Sequence, residues 1–126
     1  MKILAVGAHL DDIEIACGGT LAKAIKAGHT VKVLIMSKSG YTNKEGMMQR
    51  SDETAVIEGI NALNVLGIRD IEILDFPTKD TTETPARRAA VRHGANQSRG
   101  IAAASISGEW PDSVKSIRRY SALVTI

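Results

Sequence analysis

Apolar residues fall in short blocks, each ended by a polar stretch that carries glycine. Residues 2–6, inside "MKILAVGAHLDDIEIACGGT", form a short, partly β-branched apolar run, the pattern of a strand buried on both faces. Over 14–27, Ile15, Leu21, Ala24 and Ile25 recur near a helical spacing, and Gly28 suits the stop. "VKVLIMS", 31–37, reads as a second buried strand. "KSGYTNKEGMM", 38–48, reads as a polar loop long enough to carry function, bordering any pocket with Tyr41 and Asn43 and anchored by Met47 and Met48. Residues 51–66 form a second helix: Ser51 suits the N-cap, Asp52 and Glu53 the first turn, and Gly67 the end. Val56, Ile60 and Leu63 mark its buried face. "IEILDF", 71–76, is a third strand closed by Pro77. This alternation predicts an α/β fold: a Rossmann-like parallel sheet with helices on both faces and right-handed crossovers, of which the N-terminal half is legible.

After about residue 80 the pattern changes. Residues 81–126 are rich in Ala, Arg and Ser and offer only a helix over 86–93 and a strand over 121–126, "SALVTI". The chain therefore reads as one domain, 1–126, with a Rossmann-like core over 1–80 and a divergent basic tail over 81–126. No internal repeat is present. Lys and Arg number 9 against 11 Asp and Glu over 1–80, and 7 against 3 over 81–126. A net charge of +2 and 3% aromatic residues argue against a nucleic-acid surface. No apolar run approaches the ~20 residues of a membrane span. The N-terminus reads as a strand rather than a signal peptide, and the lone Cys17 cannot form an internal disulfide; both point to the cytoplasm. Cys17 sits near a helix start, where a thiolate is favoured, but has no partner cysteine or histidine at useful spacing and reads as packing.

The first strand ends in His9, Asp11 and Asp12. In open parallel sheets, ligands sit outside the carboxyl ends of the strands. Imidazole and carboxylate three residues apart can face one ion from a single turn, a donor pair that suits zinc. Asp11 is then left to take a proton from the attacking water, and metal polarisation with a carboxylate base is what amide hydrolysis needs. Gly18 and Gly19 would let the helix start approach a ligand or a neighbouring strand. The competing reading is that Asp11 and Asp12 only cap the helix and His9 is an incidental loop residue. Asp75, at the end of strand three, lies on the same edge and either supports the site or terminates the strand.

"AHLDDIEIACGGT" resembles the signature of the zinc-dependent LmbE-like/PIG-L deacetylases, usually written A-H-P-D-D-E with a following G-G-T. The similarity continues through "SGYTN", "QRSDETAVIEGINALNVLG" and "ILDFPTKD", covering residues 1–80 in order. That family removes acetyl groups from N-acetylglucosamine-type sugar conjugates. The resemblance implies zinc as cofactor, His9 and Asp12 as ligands, Asp11 as general base, Arg50 as a substrate-binding residue, and a small N-acetylated sugar as partner. Two positions depart from the motif. Leu10 replaces the usual proline, which is expected to loosen the turn, and Ile13 takes a place often held by Glu, with Glu14 next.

The family's third zinc ligand comes from a later His-rich segment that this sequence does not show, so the C-terminal part looks truncated or frame-shifted. His29 begins strand two and belongs at the opposite end of the sheet. His93, in "VRHGA", is the remaining histidine and the candidate third ligand, against its reading as a surface residue on a basic helix. Nothing in the spacing of Glu109 and Asp112 supports them as substitutes. Two protein ligands hold zinc weakly, so substoichiometric zinc and little or no acetate release are expected of the chain as it stands. Two other functions fit parts of the pattern. A receiver-like signalling domain would use an acidic pocket of Asp11, Asp12 and Asp75; His9, the Gly-Gly-Thr and the 38–48 insertion oppose it. A non-catalytic fragment would hold a partial zinc site. Finally, the outer edge of strand one has only "SALVTI" to pair with, and an unpaired apolar edge invites aggregation or a homo-oligomer.

Overall fold

The structure, a computed structural model, describes residues 1–78, 85, 86, 89, 93 and 101–103. Strand β1 (Lys2–Gly7) leads through α1 (Asp12–Lys26) to β2 (Thr30–Ile35). A hairpin of β3 (Tyr41–Thr42) and β4 (Met48–Arg50) follows, then α2 (Asp52–Val65), β5 (Asp70–Ile73) and β6 (Ile101–Ala103). The main sheet has the order β5-β2-β1-β6, and every neighbouring pair in it is parallel.

The strands form where expected because their apolar runs are buried on both faces. Ala5, Val31, Val33 and Ile35 join the core beneath the helices, while the alternate residues Leu4, Val6 and Leu34 are also buried. On α1 the buried stripe is Ile13, Cys17, Gly18 and Leu21. Ile15, expected inside, is 77% exposed. The reason is phase: α1 begins at Asp12, and the 3.6-residue period that buries Ile13 and Cys17 turns Ile15 outward. On α2 the stripe is Ala55, Gly59 and Leu63, with Val56 and Ile60 half-buried beside it. Ser51 is its N-cap, accepting from Thr54 N–H at 3.1 Å, a cap whose loss costs about 1 kcal/mol. Gly67 ends the helix at φ 86°, a conformation that glycine adopts without strain.

Two close approaches tie the helices to the first loop and to each other. A Cβ on Gly18 would sit 3.1 Å from Leu66 Cδ1, so that glycine lets α1 meet the end of α2; Gly19 has nothing within 4 Å. A Cβ on Gly59 would sit 2.5 Å from Leu10 Cδ2 and 2.9 Å from Leu10 Cβ. Gly59→Ala is therefore expected to lower the melting temperature. Overpacking costs about 1–3 kcal/mol, more than the ~1 kcal/mol by which alanine improves a helix interior over glycine. A melting temperature at or above the parent's would show that Leu10 gives way freely.

Three expectations are corrected. The outer edge of β1 is paired: Ile3, Leu4 and Ala5 lie opposite Ile101, Ala102 and Ala103. The partner is a three-residue run, and the edge said to invite self-association is covered there; 121–126 lies outside the described residues. The 38–48 segment holds an antiparallel hairpin, with Asn43 at its turn accepting Met47 N–H at 2.9 Å through Oδ1. Met47 and Met48 are exposed and do not anchor it. Within the expected 86–93 helix, residues 86, 89 and 93 are helical, as is Pro85.

Candidate active site

The chain runs from β1 to β2 to β5 in one direction across the sheet, while β6 lies on the other side of β1. The order reverses at β1, and the crevice at such a reversal is where α/β sheets bind ligands. The loop 8–11 stands at that point, between the carboxyl end of β1 and the start of α1.

Asp12 organises this loop. Its Oδ2 accepts the backbone N–H groups of Ala8 and His9, each at 2.9 Å. Capping alone does not describe the pair: Asp11 occupies the N-cap position with no side-chain cap hydrogen bond, and Asp12 ties back to the residues before it. His9 Nε2 lies 3.0 Å from the Thr78 carbonyl. A carbonyl can only accept, so this contact places the ring proton on Nε2 and leaves the Nδ1 lone pair unprotonated in the neutral ring. Nδ1 is 3.9 Å from Asp12 Oδ2. Two donors on one tetrahedral zinc stand about 3.4 Å apart, so the spacing and chemistry of His9 and Asp12 fit a shared ion with a shift of about half an ångström. The carbonyl behind Nε2 is the kind of outer partner that fixes a metal-binding histidine.

Asp11 is exposed and holds φ at 141°, outside the conformations a side chain prefers. Such a residue costs about 1–3 kcal/mol and persists where its surroundings impose it. The surroundings here are the Asp12 bonds before it and the Ile15 N–H donating to its carbonyl at 3.0 Å. Asp11→Gly is expected to melt at or above the parent temperature, because relief of φ exceeds or matches the ~0.5–1 kcal/mol entropic cost of glycine. A clear fall in melting temperature would mean that the Asp11 side chain itself supports the loop.

Leu10, expected to loosen the turn, secures it. Its side chain is 2% exposed and its N–H donates to Ser39 Oγ at 2.8 Å. Proline has no N–H, so the proline form of the motif could not make this bond. Glu14 lies one turn on, with Oε2 buried and without a hydrogen-bond partner among the described residues. Burial pushes its carboxyl above the usual range against a lowering bond from its own backbone, and the charges of Asp11 and Asp12 push it further. Cys17 is buried in the core, and burial together with Glu14 raises its thiol, as suits packing rather than nucleophilic chemistry.

A cleft of about 470 Å³ opens beside the His9 partner Thr78, lined by residues that include Lys38, Tyr41, Arg50, Asp75 and Thr78. Arg50 reaches it from β4. Its NH1 is 3.7 Å from Glu58 Oε2, while its Nε is buried with no hydrogen-bond partner among the described residues. Asp75 pairs with Lys38 at 3.1 Å on the cleft wall. Asn43 serves the hairpin turn instead, and Met48 lines the cleft. His29 bonds the N-terminal amine at 3.2 Å, at the opposite end of the sheet as expected. His93 is helical and exposed. Among the described residues no three His, Cys, Asp or Glu side chains are placed to hold one metal ion, so His93 does not join His9 and Asp12 there. Ser37, Ser39 and Thr78 were not singled out from sequence, although small hydroxyl residues just past the carboxyl ends of two parallel strands are a legible signal.

The fold and loop define a class: an α/β domain with a His–Asp pair at the reversal point of a parallel sheet. The chain belongs to the PIG-L family, described as GlcNAc-PI de-N-acetylase, which matches residues 4–119, beyond the 1–80 over which the sequence motifs run. It is 36% identical over 74 residues to the uncharacterized deacetylase YaiS of Escherichia coli K12, covering 59% of this chain and 37% of that protein. Its fold is similar to the N,N'-diacetylchitobiose deacetylase of Pyrococcus horikoshii, with a TM-score of 0.68 at 22% identity over 81% of this chain and 39% of that one. It is also similar to the zinc-inhibited form of the teicoplanin deacetylase Orf2, with a TM-score of 0.61 at 16% identity over 82% and 55% of the two chains. The chain thus spans well under half the length of the curated relative. Family membership sets aside the receiver-like reading. Among the described residues no helix is long and apolar enough to cross a membrane.

Proposed function

We propose that this chain carries the first-loop half of a zinc-dependent N-deacetylase centre acting on N-acetylglucosamine-type sugar conjugates, in the cytoplasm. The observation that carries the reading is the His9–Asp12 pair, with Nδ1 3.9 Å from Oδ2 and the ring proton held on the far nitrogen by Thr78. His9 and Asp12 would hold the zinc, and a bound zinc supplies Lewis-acid polarisation of the amide. Asp11, exposed at the mouth of the loop, takes the proton of the attacking water. Arg50 lines the cleft, where its guanidinium offers a hydrogen bond to a sugar oxygen. The paired charges of Lys38 and Asp75 on the cleft wall suit a neutral sugar. Among the described residues no third donor, His93 included, joins His9 and Asp12.

The test is a zinc titration of the purified chain with acetate release from N-acetylglucosamine conjugates as readout. Zinc binding that depends on His9, with slow acetate release that rises with bound zinc, is the expected result. Zinc binding indifferent to His9 would remove the centre from this loop.

A further inference from the structure

Behind the first loop, three hydroxyl-bearing residues are linked by hydrogen bonds through their side chains and backbone. Ser37 Oγ lies 2.7 Å from Thr78 Oγ1 and accepts from Ser39 N–H at 3.0 Å. Ser39 Oγ donates to the Ser37 carbonyl at 3.1 Å and accepts from Leu10 N–H at 2.8 Å. Ser37 is 3% exposed, and it is the node at which the loop after β2 meets the loop after β5. Each of its partners then grips the first loop. Thr78 holds the His9 ring through its carbonyl, and Ser39 holds the backbone between His9 and Asp11.

These links are needed because the sheet does not reach Thr78. Pairing between β2 and β5 continues past the strands through Leu74 N–H to the Ile35 carbonyl at 2.8 Å and Phe76 N–H to the Met36 carbonyl at 3.1 Å. Thr78 lies two residues further on, where the ladder no longer sets the direction of its carbonyl. Ser39, for its part, holds φ at 68°, a left-handed conformation that costs a side-chain residue about 1–2 kcal/mol. Its N–H and its hydroxyl are both bonded to Ser37, which keeps it there.

We infer that Ser37 is a positioning residue of the first loop: through Thr78 it holds the His9 ring with its proton on Nε2, presenting Nδ1 toward Asp12. The consequence for zinc rests on the function proposed above; the tautomer does not. Orientation of a ligating histidine by such outer partners typically carries 10–100-fold in metal affinity.

The experiment uses the full metal-free chain at about pH 8, where imidazole is neutral, with nitrogen-15 spectra of the histidine rings. Four proteins are compared: the parent, Thr78→Val, Thr78→Ser and Ser37→Ala. In the parent, His9 is expected as a single Nε2-protonated tautomer with a slowly exchanging ring proton. Thr78→Val, which removes the hydroxyl at nearly constant size, and Ser37→Ala are expected to speed that exchange about tenfold or more and to reveal the second tautomer. Thr78→Ser is expected to match the parent. Zinc affinity measured in parallel should fall about 10–100-fold in the valine and alanine variants and hold in the serine variant. A parent ring protonated on Nδ1, or tautomer and exchange unchanged in Thr78→Val, overturns the inference. If Ser37→Ala does not fold, the half-buried Thr78 pair still decides it. Parent protein that shows the expected tautomers yet binds no zinc would overturn the zinc reading and leave the role of Ser37 standing.

Discussion

In a full-length version of the deacetylase centre proposed above, Asp11→Asn is expected to keep its zinc and to release acetate about 10²- to 10⁴-fold more slowly than its parent, the range carried by a positioned general base. Asparagine has the same shape but cannot accept the proton of water in the transition state. It also tolerates positive φ about as well as aspartate, so the 141° conformation at this position survives the change. The backbone bond from Ile15 N–H to the Asp11 carbonyl is untouched. Fold and metal should therefore match the parent, and the loss should fall on turnover alone. Acetate release and bound metal measured on the same samples check this. Turnover near the parent's would show that another group is the base.

Asp12→Ala is expected to lose both zinc and stability. The carboxylate accepts two backbone N–H groups, those of Ala8 and His9, and the half-buried loop leaves them without a replacement acceptor. Hydrogen bonds to charged groups contribute about 1.5–3 kcal/mol each, so removing both should cost roughly 3–6 kcal/mol, a large part of the ~5–15 kcal/mol that holds a domain folded. His9→Ala separates the two effects. Its ring is about one-third exposed and makes one backbone bond, so zinc affinity should fall as far while the melting temperature moves little. Asp12→Asn keeps one acceptor oxygen and is expected to recover part of the stability. Parental zinc affinity in both Asp12→Ala and His9→Ala would place the metal elsewhere in the chain.

The sequence by itself determined the elements whose causes are local. The apolar runs at 2–6 and 31–37 become strands because residues buried on both faces leave no polar alternation to disguise them. Ser51 caps α2 because a hydroxyl three residues before an exposed N–H reaches it from the chain's own turn. His9, Asp11 and Asp12 could be read as a site because they follow the first strand, and the carboxyl end of a parallel strand is where ligands are held. Their motif extended that reading to Arg50, which the fold then brings to the same cleft as Thr78.

What only the tertiary structure decided depends on residues far apart in the chain. Strand β6 pairs with β1 across nearly 100 positions, and a run of three residues, two of them alanine, carries too little local preference to announce it. Leu10 reads as a flaw in a turn until Gly59, on another element, makes room for its side chain and Ser39 accepts its N–H. Ile15 reads as core until the start of α1 sets the phase of the helix. The tautomer of His9 depends on a carbonyl 69 residues away, held by a serine from a third segment. Local sequence chose the groups of the candidate site; which atom of each faces it was chosen by contacts between segments that only the folded sheet brings within about 3 Å.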